Sequence, residues 1–218
     1  MIYFNPGCAL NLYKPQAQEK LLRFLKTQFE DIRLHTVCCH YEPRLPQGTK
    51  IINVCAGCDK RFGSLYAGVS TLSLWEVIDG VEGFPFPDYG RLPISVQDPC
   101  PVRNRPQVHA AVRSLLDKMN FRLAEPAQKG KDTICCGDSS YPHAPLEEVH
   151  QKMQQRAGAM PCADVCVYCV SCINAIEIGG KKPRYLLDLL LGEDTKAPNC
   201  DIIAWHEDLK DYRMRYGR

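Results

Sequence analysis

The chain has 218 residues, 45% of them hydrophobic, enough for one large or two small domains with an ordinary buried core. Its 27 basic and 25 acidic residues leave a formal net charge of +2 with no long run of either sign, so no nucleic-acid partner is expected. No stretch reaches the roughly 18 to 20 apolar residues of a membrane span, so no direct membrane span is expected.

The stretch MIYFNPGCALN lacks the basic and apolar regions of a secretory signal, so a reducing, cytoplasmic setting is expected. Thirteen cysteines are the abnormal number, roughly three to four times the usual density. Disulfides are a poor account of an odd count in that compartment. Metal binding or thiol chemistry is the better one.

In chain order, IYF near the N-terminus reads as a strand, followed by Cys8 in NPGC. The segment from Pro15 to Ile32 has apolar residues at threes and fours behind a proline, which predicts a helix. Cys38 and Cys39 follow in TVCCHYEP, and KIINV from Lys50 to Val54 reads as a strand delivering Cys55 and Cys58 into a helix start. An apolar segment, LWEVIDG, ends at Gly80, and the proline-broken GVEGFPFPDYG is expected to be a linker.

The order then repeats. PISVQ from Pro93 predicts a strand, Cys100 follows in QDPC, and Arg105 to Asn120 predicts a helix. Cys135 and Cys136 lie in TICCGDSS, Ala163 to Val167 reads as a strand, and Cys169 and Cys172 open the next helix. LLDLLLG closes the second copy as LWEVIDG closes the first. The expected fold class is therefore α/β, with two tandem similar α/β units, residues 1–90 and 91–218, on short parallel sheets. Each carries a five-cysteine metal-binding motif. Between CC and CxxC the second copy has 32 residues, including the helix candidate LEEVHQKMQQRAGAM, and the first has 15, so the first copy is expected to have lost a helix. The basic stretch LKDYRMRYGR is expected to be a solvated terminus.

A zinc ion or a cubane 4Fe-4S cluster takes four thiolates, and each copy offers five. Adjacent cysteines have Cα atoms about 3.8 Å apart and point to opposite faces of an extended strand, so both reach one site only where the chain turns. Gly137 permits such a turn, and His40 stands in the corresponding place of the first copy. The CxxC pairs place sulfur at helix starts, where free N–H groups favour negative charge. Iron–sulfur is the leading reading, with structural zinc in one copy and pure thiol redox as alternatives. Cys162 and Cys200 are expected to be inert, and Cys166 is a candidate substitute ligand. Arg103, Arg105 and His143 are candidates to face an anionic substrate, with a solvated surface position as the bland alternative. There is no glycine-rich nucleotide fingerprint and no cysteine-nucleophile signature.

The pattern C…CC…CxxC, with DPC and CCG, resembles the cysteine-rich (CCG) domain found in the B-type chain of heterodisulfide reductase and in related iron–sulfur proteins of anaerobic metabolism. The resemblance is strongest from Gln97 to Gly192. It implies an oxidoreductase component that moves electrons to or from a disulfide or small organic substrate at a noncubane 4Fe-4S cluster. The ligands it implies are Cys100, Cys135, Cys136, Cys169 and Cys172, with Cys8, Cys38, Cys39, Cys55 and Cys58 for a second cluster or for zinc. Partners implied are an iron–sulfur protein of the heterodisulfide reductase C type and a flavoprotein. Pro101 after DPC, and DSSY after CCG, depart from the family's usual histidine and glycine-rich stretch.

Overall fold

The structure is a computed structural model and is described for residues 1–216. The chain divides into two compact units, Met1–Val77 with His206–Arg218, and Ile78–Trp205. The segment following Asp79 thus belongs with the second unit and the residues from His206 with the first.

In the first unit, β1 (Ile2–Asn5), β2 (Ile32–Leu34), β3 (Thr49–Asn53) and β4 (Val69–Ser73) form a sheet in the order β2-β1-β3-β4. Every pairing is parallel. Helices α1 (Cys8–Tyr13) and α2 (Pro15–Gln28) join β1 to β2, α3 (Ala56–Leu65) joins β3 to β4, and α4 (Leu74–Asp79) follows β4. The second unit repeats the plan. Strands β5 (Pro93–Gln97), β6 (Arg122–Leu123), β7 (Asp164–Val167) and β8 (Lys182–Tyr185) pair in parallel in the order β6-β5-β7-β8. Helix α5 (Pro106–Lys118) joins β5 to β6, α6 (Leu146–Gly158) lies between β6 and β7, α7 (Val170–Ile178) joins β7 to β8, and α8 (Leu186–Leu190) follows β8. The last helix, α9 (Ile202–Tyr216), completes the described chain.

The fold class is therefore the expected α/β arrangement on two four-stranded parallel sheets. Among the described residues, α6 has no counterpart between β2 and β3, as the shorter spacing of the first copy indicated. Central strands of a parallel sheet are covered on both faces, and their composition reflects it. Ile51 and Ile52 on β3, Ile94 and Val96 on β5, and Val165 to Val167 on β7 are fully or nearly fully buried.

Two helices end earlier than their apolar periodicity extends. α2 stops at Gln28 because Phe29 is extended and the next residues turn the chain back so that Ile32 pairs with Ile2. α5 stops at Lys118, and Asn120, at φ 57, takes the left-handed conformation that ends helices. The proline-broken segment has no regular element among residues 80–92, as expected. It is nonetheless built into the second unit rather than being a free linker. Tyr89 stacks on Phe121 with centroids 4.5 Å apart, and its hydroxyl donates to the Leu189 carbonyl at 2.9 Å.

Both sheets reverse direction of growth at the same place. From β1 the chain moves outward to β2 and then returns to the other side of β1 for β3, and β5, β6 and β7 do likewise. Loops leaving the carboxyl ends of the strands on either side of such a switch point diverge and leave a crevice. The cysteines occupy those loops.

Candidate functional site

Cys8 opens α1 just after β1, and Cys55 is the N-cap residue of α3 just after β3, with Cys58 in its first turn. Cys38 and Cys39 lie in the loop after β2. Cys100 follows β5, Cys169 is the N-cap of α7 with Cys172 in its first turn, and Cys135 and Cys136 lie in the long connection between β6 and α6. The switch point thus gathers three segments of each copy at one edge.

Within each unit the five thiols form one row of sulfur contacts. In the first the row runs Cys8, Cys38, Cys39, Cys58, Cys55. In the second it runs Cys100, Cys135, Cys136, Cys172, Cys169, with Cys172 and Cys136 sulfurs 3.3 Å apart. The order of positions is identical. In both rows the first member of the CC pair takes hydrogen bonds from both neighbouring thiols and is the favoured thiolate. Hydrogen bonds from Cys39 and Cys8, then the His40 N–H, bring Cys38 down to about 2. Those from Cys100 and Cys136, with the Ser139 hydroxyl and Gly137 N–H, bring Cys135 far below the usual thiol range. The outer Cys8 and Cys100 are pushed up by the same contacts, each retaining its proton to donate. Cys55 falls to about 7, through its bond with Cys58 and the free N–H groups of the α3 start.

The surroundings fix these rows. Cys38, Cys39 and Cys58 are buried in one apolar cluster with Ile51 and Phe62. Gly7, at φ 78, lets the Cys8 loop pass over the CxxC turn, since a Cβ there would lie 3.2 Å from Cys55 Cβ and 3.3 Å from Cys58 Sγ. In the second unit the DPC turn is anchored by Asp98. It is wholly buried, receives Arg113 through both carboxylate oxygens at 2.6 and 2.8 Å, and accepts hydrogen bonds from Tyr168 Oη at 2.5 Å and Gly130 N at 2.7 Å. Burial pushes its carboxyl up, but the bonds and charge of Arg113 and the Tyr168 and Gly130 donors outweigh that and hold it low.

No protein-family model, curated protein or solved structure matches the chain. Among the described residues no three His, Cys, Asp or Glu side chains surround a point where a single metal ion would sit. The five sulfurs of each set are linked by neighbouring contacts, and the ends of the row also interact, Cys8 with Cys55 and Cys100 with Cys169.

The two rows differ in access. The first lies under a void of about 10 Å³, room for about one water, lined by Cys8, Cys38, Cys39, Cys58 and Tyr212. Tyr212 on α9 accepts a hydrogen bond from Asn11 Nδ2 at 2.9 Å, and Arg213 Nη1 lies 3.1 Å from His40 Nε2. The stretch expected to be a solvated terminus is therefore, as far as Tyr216, a helix with one face covering the first row; Met214 and Tyr216 lie on the exposed side, and residues 217–218 lie outside the described residues. The second row meets a cavity of about 390 Å³ at Cys135.

Of the other candidates, Arg103 lines that cavity, and Arg105 and His143 are not among its lining residues. Arg156 and Lys152, which do line it, were not among the candidates; four residues apart they share one face of a predicted helix, and that spacing of two cations does not by itself mark a site. Cys166 is buried in β7, and burial is the leading cause of its raised thiol pKa. Cys162 is half-buried and Cys200 exposed.

Proposed function

We propose that the chain is an iron–sulfur oxidoreductase component of the heterodisulfide reductase B type, in which the second five-cysteine set is the reacting centre. The observation that carries this reading is the five-thiol row, built twice with the same order of contacts and, in the second copy, meeting a cavity of about 390 Å³. Cys100, Cys135, Cys136, Cys169 and Cys172 would hold one noncubane 4Fe-4S cluster, and Cys8, Cys38, Cys39, Cys55 and Cys58 a second. When bound, such a cluster supplies one-electron transfer to a disulfide or small organic substrate.

The protein's own contribution is positioning. Asp98 and Arg113 fix the Cys100 turn, and the Gly137 N–H and Ser139 hydroxyl stabilise negative sulfur at Cys135. The cavity admits substrate beside that sulfur. Electrons would be exchanged with an iron–sulfur partner protein and a flavoprotein. The enclosure of the first row favours a second role for that set alone, as a relay cluster or a stabilising zinc, because a void of about 10 Å³ has no room for substrate.

Anaerobic purification followed by iron, acid-labile sulfide and zinc analysis and by EPR tests the proposal. The expected result is roughly four iron and four sulfide for each loaded set with a paramagnetic signal in one redox state. A colourless protein carrying only stoichiometric zinc overturns it.

A further inference from the structure

We propose that the cavity beside Cys135 is an oxyanion site, in which Arg156 receives the carboxylate or phosphate of a small substrate with Arg103 and Lys152 at its sides. The inference deepens the proposed function and rests on it only for the reaction that follows binding.

Arg156 is a long cation of α6 that is only 3% exposed. Its Nε donates to Gln97 Oε1 at 2.5 Å and its Nη2 to the Gln128 carbonyl at 2.9 Å. Both acceptors are neutral. Its Nη1 is buried with no hydrogen-bond partner among the described residues, and the negative groups that favour its charge, Asp98 and the sulfurs of Cys136, Cys172 and Cys135, act on it without a hydrogen bond. Burying a charge is costly unless it is paired, and a guanidinium held by two fixed neutral acceptors with a third donor unused is suited to an anion that arrives from outside.

The same side chain lines the cavity of about 390 Å³, within the size range of small-molecule sites. The other charged residues of its lining are also basic. Arg103 is held in place by donation from Nε to the Thr133 carbonyl at 3.0 Å, which leaves its remaining N–H groups available. Lys152, one turn before Arg156 on α6, pairs with the exposed Glu148 at 2.7 Å, a surface contact worth little against a better acceptor. Ile134 adds an apolar wall, and Cys135 stands at the same cavity. An anion held by Arg156 would therefore have the rest of its molecule beside the Cys135 sulfur.

The test uses the full chain, prepared anaerobically, at about 0.15 M ionic strength so that loose surface attraction is screened. Binding of inorganic phosphate is followed by 31P NMR, and binding of carbon-13-labelled acetate is followed separately, so that the two oxyanion sources are distinguished. Saturable binding of at least one is expected, weakened roughly tenfold or more by Arg103→Gln with Lys152→Gln and by Arg156→Lys, which keeps the charge but loses the fork. If Arg156→Lys does not fold, judged by circular dichroism, the Arg103 and Lys152 substitutions decide. Absence of saturable binding of both probes, or binding that the folded variants leave unchanged, overturns the inference. Metal analysis of the same preparations separates the two readings. Anion binding by a chain that takes up no iron sinks the cluster and leaves the pocket, whereas a loaded chain indifferent to both probes sinks the pocket and leaves the cluster.

Discussion

Gly137 and His40 follow the doubled cysteines in equivalent places, and the reason they differ is local. Gly137 sits at φ 110, and a Cβ there would come within 2.7 Å of Met153 Cγ and 3.0 Å of the Met153 backbone nitrogen. The glycine is therefore required by the close approach of the CC loop to α6. The first copy has no such helix, and His40 meets no such crowding, so its five sulfurs form the same row without a glycine. We predict that Gly137→Ala costs about 1–3 kcal/mol of stability in urea unfolding, from left-handed strain and overpacking together. Under the proposed cluster assignment it should also reduce the iron retained by the second set. A His40→Gly change should leave iron content near that of the parent. Asp98 gives a second residue-level expectation. Asp98→Asn removes one partner of a buried ion pair and should destabilise by about 3 kcal/mol near neutral pH. Because its carboxyl is held below the ordinary value of 3.8, the stabilisation is complete above that pH and is lost as pH falls below it. Unfolding curves of parent and variant should therefore converge as the pH falls further below 3.8.

At the scale of elements, two helices make the copies unequal. α6 supplies Lys152 and Arg156 to the second cavity, and α9 supplies Tyr212 to the cover of the first row. The copy that keeps the extra helix is the open one. The copy without it is closed by a helix from a distant part of the sequence, through the Asn11–Tyr212 bond and the Arg213–His40 contact. Tyr212→Ala should open the first row to solvent while leaving the fold intact, because one side-chain hydrogen bond of this kind contributes only about 0.5–1.5 kcal/mol. The expected outcome is faster loss of metal from the first set on exposure to air or chelator, followed by absorbance and metal analysis. Unchanged loss kinetics would show that the cover gives no protection.

Over the whole molecule, the duplication was legible because it is written in spacing. Cysteines in the same order, strand-like runs such as KIINV and PISVQ, and proline-led helices predict the two parallel sheets, since strand and helix periods differ and prolines mark helix starts. The shortest elements were not legible. β6 has two residues and β2 three, too few to show a period, and they exist because β5 and β1 offer them free edges. Site residues on loops were found by residue type, as cysteines must be. Arg156 and Tyr212 were missed because their roles depend on contacts across many residues: Gln97 lies 59 positions from Arg156, and Asn11 lies 201 from Tyr212. No local pattern reports a pairing of that length.

The late position of Tyr212 bears on the order of assembly. The first set is complete in the chain once Cys58 has been made, and the second begins only at Cys100, so the two do not interleave during synthesis. The helix that covers the first set is made long after both. A ribosome therefore presents the first set uncovered throughout most of translation, and any metal taken up during synthesis would enter before closure. Stalled chains in which the first sheet and Cys58 have emerged from the ribosome but Tyr212 has not should bind metal through the first set, and chains in which Tyr212 has also emerged should release it more slowly.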